Sequence, residues 1–164
     1  MEKETVRRLI DGELPWEQLR DEALQGKKDD DRFEKTIEIL QERVDWDETI
    51  LMPINDHLYA VAKDGERIVK GDCGHEFGTV DENWKRDCQV RVREGEEDWT
   101  EIYPGWQSPD PDWDWQLREF FCPECYELLE VDTVPAGYPV IQEFEPDIDG
   151  FYEEWLDRPV PTDA

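Results

Sequence analysis

The 164 residues include 45 Asp and Glu against 18 Lys and Arg, a formal net charge of −27 that is spread along the chain. Such a field repels phosphate backbones, the main sequence-independent source of nucleic-acid affinity, and so argues against a nucleic-acid partner. No apolar run reaches the roughly 18 residues of a membrane-spanning helix; 8 Trp, 5 Tyr and 6 Phe supply apolar area enough to offset the entropy of ordering, and 164 residues suit one domain rather than two.

Dispersed acid with few lysines is the composition of a surface adapted to high salt, where counterions screen self-repulsion, and a halophilic source is expected. The opening stretch MEKETVRRLIDGEL lacks the apolar centre of a signal peptide. Four cysteines in a chain without an export signal favour metal binding over a disulfide framework, and a cytoplasmic location is expected.

In chain order, Leu9, Ile10 and Leu14, then Pro15 through Leu24, read as two short helices, the second opened by proline and ended by Gly26. Phe33, Ile37, Leu40 and Val44 recur at three- and four-residue spacing and predict a longer amphipathic helix, its acidic front suited to the helix dipole. From Leu58 the period changes. The β-rich runs Leu58 to Lys63 and Glu66 to Lys70 are joined by Asp64-Gly65, a pair that accepts positive φ at both turn positions, and predict a hairpin whose second strand leads directly to Cys73. Strict alternation predicts a strand at Cys88 to Arg93 and another at Leu128 to Val134. Between these, Trp99 to Trp115 carries Pro104, Pro109 and Pro111 among four tryptophans and leads into a short helix expected near Trp113 to Glu119. Beyond Val134, Pro135, Pro139, Pro146, Pro159 and Pro161 predict an extended arm, interrupted by a short helix around Ile148 to Leu156.

The fold class expected is α+β. It comprises a helical N-terminal third (1–56), a small antiparallel zinc-ribbon-like β core with a Trp-rich insertion (57–134), and an extended Pro-rich C-terminal arm (135–164), all one folding unit.

Cys122-Pro-Glu-Cys125 has the spacing of a zinc knuckle, whose tight turn lets both sulfurs reach one ion at about 2.3 Å. Cys73-Gly-His75 offers a further thiolate and an imidazole, completing a Cys3His set that zinc accepts. The 46 residues between His75 and Cys122 (122 − 75 − 1) mean that the ion closes a large loop over which the insertion must fold. Cys-x-His is tighter than the usual cysteine spacing, and Cys88 and His57 stand as alternative ligands. A redox pair at Cys122 and Cys125 would lead into a helix, whereas Tyr126 to Val134 reads as a strand. A catalytic zinc needs an open position and a base, for which Glu76 is the adjacent acid. Four ligands already fill a tetrahedron, so a structural site is expected. No glycine-rich phosphate loop, nucleophile elbow or lysine-centred signature occurs. Asp147 and Asp149 beside Gly150 read as a turn into a helix. No catalytic residue is expected in this chain.

Taken together, Glu38-Ile39-Leu40-Gln41-Glu42-Arg43-Val44, Asp72-Cys73-Gly74-His75-Glu76-Phe77, Glu82-Asn83-Trp84-Lys85, Glu101-Ile102-Tyr103-Pro104 and Phe121-Cys122-Pro123-Glu124-Cys125 resemble the small gamma subunit of acetone carboxylases. The tail strengthens the likeness through Tyr138-Pro139-Val140-Ile141, Phe144, Pro146-Asp147-Ile148, Gly150-Phe151-Tyr152 and Glu154-Trp155-Leu156. The resemblance implies a subunit of an ATP-dependent hetero-hexamer, two copies each of three chains, that joins acetone and bicarbonate to give acetoacetate through phosphorylated intermediates. Related complexes act on acetophenone or similar ketones. It further implies that ATP and Mn2+ belong to large, hydantoinase-like alpha and beta partner subunits, and that this chain contributes a zinc-stabilised scaffold with Cys73, His75, Cys122 and Cys125 as ligands. Family members often read Cys-x-Cys-Gly-His, and here Gly71 stands in place of the first cysteine. A free-standing zinc-ribbon adaptor and a zinc hydrolase are the competing readings.

Overall fold

Local sequence starts the chain with helices. α1 (Lys3–Ile10) buries Val6. α2 (Trp16–Gln18) follows Pro15 and widens into a π-helical turn at Leu19–Leu24. α3 (Arg32–Gln41) lays Ile39 and Leu40 into the interior. The computed structural model describes residues 1–24, 29–105 and 114–162. The helix stop read at Gly26 and the middle of the Trp-rich insertion, with Pro109 and Pro111, lie outside the described residues.

The front segment is not helical throughout, because Thr49–Pro53 forms a strand, β1. It pairs antiparallel with β2 (Leu58–Lys63), which turns through Asp64 (φ 52°) and Gly65 (φ 80°) into β3 (Glu66–Gly71). Two successive positive φ values match the twist of the strands they join, so the register runs unbroken from Lys63↔Glu66 to Leu58↔Gly71. β4 (Glu76–Thr79) completes a four-stranded sheet in the order β1-β2-β3-β4. Both faces of this sheet are covered. Leu51, Leu58, Ala60, Ala62, Val69 and Phe77 pack with Trp84, Cys122, Leu129, Ile148 and Tyr152. The alternate residues Ile50, Tyr59, Val61 and Ile68 pack with Leu40 of α3 and with Ile10, Ile37 and Val44. A period of two thus sends one half of each strand to the helices and the other half to the rest of the chain.

A short 3-10 turn at Trp84–Asp87 leads to β5 (Gln89–Glu94), which runs straight into α4 (Gly95–Ile102). β6 (Trp115–Phe121) and β7 (Leu128–Pro135) finish a separate three-stranded antiparallel sheet, β5-β6-β7. The helix expected near Trp113 to Glu119 is therefore corrected: from Trp115 onward the segment is β6, the central strand, with partners on both sides. Gln, Leu, Arg and Glu are good helix formers in isolation, but Gln116 to Phe121 pair with strands on both sides, and tertiary context outweighs propensity. α4 was also unforeseen; Glu96, Glu97 and Asp98 crowd its first turn, where the helix dipole favours acid, and Trp99 anchors it in the interior.

After β7, residues 139–147 form neither helix nor strand, and α5 (Ile148–Gly150) continues into a π-helical turn at Phe151–Trp155. This end returns to the first sheet. Tyr152 is buried and its hydroxyl donates to the Leu51 carbonyl at 2.7 Å, at the register shift between Ile50 and Met52 in β1. Arg67 of β3 also pairs with Asp149 of α5. Among the described residues no helix is long and apolar enough to cross a membrane.

Tyr152→Phe removes the donor and leaves a buried carbonyl unpaired, so chemical denaturation should show a loss of about 1–3 kcal/mol. Unchanged stability would show that the contact does not tie the C-terminal turn to the sheet.

Candidate metal centre

Cys73 stands on the turn that follows β3. Gly74 adopts φ 91°, with the Trp46 side chain 3.5 Å from where a Cβ would lie, so glycine both allows the turn and admits the indole beside it. The turn is closed by Gly74 N–H to the Gly71 carbonyl at 2.9 Å and by Gly71 N–H to the His75 carbonyl at 2.9 Å. Trp46 Nε1 donates to the carbonyls of Gly71 (3.2 Å) and Asp72 (3.3 Å). In this conformation the His75 backbone N–H donates to the Cys73 sulfur.

Cys122 and Cys125 stand on the loop between β6 and β7. That loop is closed by Cys122 N–H to the Glu127 carbonyl (2.9 Å) and Tyr126 N–H to the Cys122 carbonyl (3.0 Å), with Tyr126 at φ 63°. The backbone N–H groups of Glu124 and Cys125 converge on the Cys122 sulfur. Donors aimed at sulfur stabilise the thiolate form, the form that binds metal.

The two turns meet. Cys73 Sγ and Cys122 Sγ are 3.6 Å apart, and the sulfurs of Cys73, Cys122 and Cys125 all lie within 4.8 Å of one another. Sulfurs about 2.3 Å from one tetrahedral ion would be separated by about 3.8 Å, so the spacing and the donor chemistry both fit a thiophilic ion such as zinc. Burial opposes the Cys122 thiolate, but the two backbone donors and the neighbouring Cys125 and Cys73 thiols outweigh it and hold its pKa below the ordinary value. Cys73 shifts the other way, to about 11, through burial and then through the adjacent Cys125 and Cys122 sulfurs, against the His75 N–H. Crowded thiols resist carrying negative charge together. A bound cation removes that resistance.

The structure brings three of the four expected ligands together. His75 is not in the group: its Nε2 meets Asp87 Oδ2 at 2.6 Å and its ring lies edge-on to Phe77, with centroids 4.6 Å apart. That contact engages Nε2, the ring nitrogen opposite Nδ1. Cys88 is not in the group either; its thiol faces the Trp84 carbonyl at 3.7 Å and is pushed up to about 12 by burial and by the nearby acid of Asp87 and thiol of Cys122. His57 lies outside the group too and bonds Asp72. Glu76, the acid next to His75, is held by Lys63 at 2.5 Å and stands 3.6 Å from Lys70, which keeps its carboxyl below the usual range. Asp147 caps the Gly150 N–H at 3.0 Å, and Asp149 answers Arg67.

Sequence reasoning missed a second cluster. Lys85, 1% exposed, reaches Glu143 at 2.6 Å, Asp132 at 2.9 Å and Glu130 at 3.0 Å, with Phe120 and Trp84 beneath its ammonium. Burial opposes its charge, but the three carboxylates outweigh burial and raise its pKa above the ordinary value. Glu130 and Asp132 belong to β7 and Glu143 to the irregular tail, so one lysine fastens the tail to the second sheet. Its signal in the sequence was slight: a lysine after a tryptophan in a chain otherwise crowded with acid.

A family profile described as acetone carboxylase gamma subunit matches residues 44–156, an interval that contains all three clustered cysteines and Lys85. The chain is 42% identical over 158 residues to the acetone carboxylase gamma subunit of Xanthobacter autotrophicus, covering 95% of this chain and 93% of that protein. It is 30% identical over 112 residues to the acetophenone carboxylase beta subunit of Aromatoleum aromaticum, covering 67% of this chain and 79% of that protein.

Titrating the metal-free chain with Cd2+ should give thiolate-to-metal charge-transfer absorption that saturates at about one ion per chain. Cys122→Ser should lose most of that absorption and Cys88→Ser should keep it. Equal loss in both variants would contradict the three-thiol centre.

Proposed function

The chain belongs to the acetone carboxylase gamma subunit family, and from that premise we propose that it is a zinc-containing accessory subunit of an ATP-dependent ketone carboxylase. The reaction joins acetone and bicarbonate to give acetoacetate. The observation that carries the structural part of this reading is the convergence of Cys73, Cys122 and Cys125 from two turns that are distant in the chain. Three thiolates from two turns would cross-link the fold around one ion, and a fourth protein ligand would close the tetrahedron to substrate.

In this reading Cys73, Cys122 and Cys125 hold the ion, and His75, which stands outside the three-sulfur group, turns its Nδ1 inward to become the fourth ligand. Asp87 on Nε2 supports that role, since ligating histidines commonly give their other nitrogen to a carboxylate. The ion's chemistry would be structural: bound there, it would fix the two turns and offset most of the charge of three thiolates. The neighbouring groups able to act as acid or base already have partners, Glu76 in lysines, His57 in Asp72 and His75 in Asp87.

The chemical steps then belong to partners. The relatives are named as subunits of carboxylases, which supports an assembly with larger alpha- and beta-type, hydantoinase-like chains that carry ATP and Mn2+, two copies of each chain forming a hetero-hexamer. The whole chain (1–56, 57–134 and 135–164) acts as one folding unit with a zinc-ribbon-like centre and a partner-facing Pro-rich arm. Its setting is cytoplasmic, and its net charge of −27 suits a salt-rich one.

Tagged and purified from its native host, the chain should bring down two larger chains, and the complex should consume acetone only when ATP and bicarbonate are both present. The isolated chain should consume none. Recovery as a lone monomer would contradict the subunit reading, and turnover by the isolated chain would favour a hydrolase.

A further inference from the structure

The thiols of the centre stand on turns of two different sheets, and among the described residues no ladder joins those sheets. Strand pairing fixes each turn relative to its own sheet and leaves the spacing between the turns to side chains. The loop between β1 and β2 supplies such a link. His57 Nδ1 donates to Asp72 Oδ2 at 2.7 Å, and Asp72 immediately precedes Cys73. On the other edge of the same ring, Nε2 stands 3.6 Å from Glu127 Oε1, two residues beyond Cys125.

The rest of the loop reinforces this arrangement. The Asp72 backbone N–H donates to the His57 carbonyl at 3.1 Å, and the buried Tyr59 hydroxyl donates to Asp72 Oδ1 at 2.5 Å. The His57 backbone N–H donates to Asn55 Oδ1 at 2.9 Å, while Asn55 Nδ2 donates to the Leu129 carbonyl of β7 at 3.0 Å. The loop is thus fastened to the Cys73 turn on one side and to the second sheet, just past the Cys125 turn, on the other.

We infer that His57 is a positioning residue of the metal centre: its imidazole spans the two thiol-bearing turns and holds them at the separation that one ion requires. This rests on the zinc reading above and extends it to a residue that does not touch the ion. A site whose ligands are already in place gives up less of its binding free energy to ordering the chain, which is why groups behind the ligands commonly change metal affinity by about 10–100-fold. With one ring nitrogen bonded to Asp72 and the other facing Glu127, His57 works as a spacer and not as a ligand.

The test uses the full chain, stripped of metal, with zinc affinity measured by competition against a chromophoric chelator. Wild type should bind about one zinc per chain, and His57→Ala should bind it about tenfold more weakly. His57→Asn keeps a donor near the position of Nδ1 and should recover most of the affinity through Asp72. His57→Gln keeps one near Nε2 and should recover less, because the contact to Glu127 is the longer of the two. Should His57→Ala not fold, the order Asn above Gln carries the same expectation. Equal affinity in wild type and His57→Ala overturns the inference, as does a loss that neither amide repairs, since simple packing would then explain it. A wild-type chain that binds no zinc would instead overturn the zinc reading on which the inference stands.

Discussion

Three sulfurs from two distant turns have to occupy one small volume, and most of the molecule is arranged so that they can. Cys73 and Cys122 are 49 positions apart, touch at 3.6 Å, and belong to turns of different sheets. Closing so long a loop costs entropy, and three thiolates in contact repel one another. Each turn counters the second cost in part by directing backbone N–H groups at sulfur, from His75 on one side and from Glu124 and Cys125 on the other. A divalent ion bound there would counter the remainder and couple its own binding to folding. Gly74, the Trp46 indole and the β2–β3 hairpin all serve to set the Cys73 turn where the Cys122 turn can meet it.

Basic residues mark the other junctions. In so acidic a chain they bind together segments that are far apart in sequence. Lys85 gathers two acids of β7 and one of the tail, Arg67 joins β3 to α5, and Lys70 joins β3 to Glu48, which precedes β1. Acids with such partners are structural. Other acids, such as Glu96 and Glu97, stand exposed to water and carry the surface charge.

The sequence made visible what is encoded locally. Asp64-Gly65 announces its hairpin because positive φ at two successive positions is a local demand, and β5 and β7 announce themselves by alternation. Cys122 and Cys125 are legible for the same reason, since their knuckle closes within a few residues. Longer-range features were hidden. β6 is built from helix-forming residues and becomes a strand only because β5 and β7 flank it. Lys85 in sequence looks like any surface lysine; only the return of the tail buries it. The pattern Cys-Gly-His places a thiol and an imidazole close together in the chain, but the turn that brings Cys73 to the other sulfurs presents the backbone N–H of His75 to sulfur and its Nε2 to Asp87.

Zinc K-edge X-ray absorption on the purified full chain addresses the central feature most directly, because it counts the atoms bound to the ion. Three sulfurs at about 2.3 Å and one nitrogen at about 2.0 Å are expected. A shell with fewer than three sulfurs, or one made only of oxygen and nitrogen, would contradict a centre built on Cys73, Cys122 and Cys125.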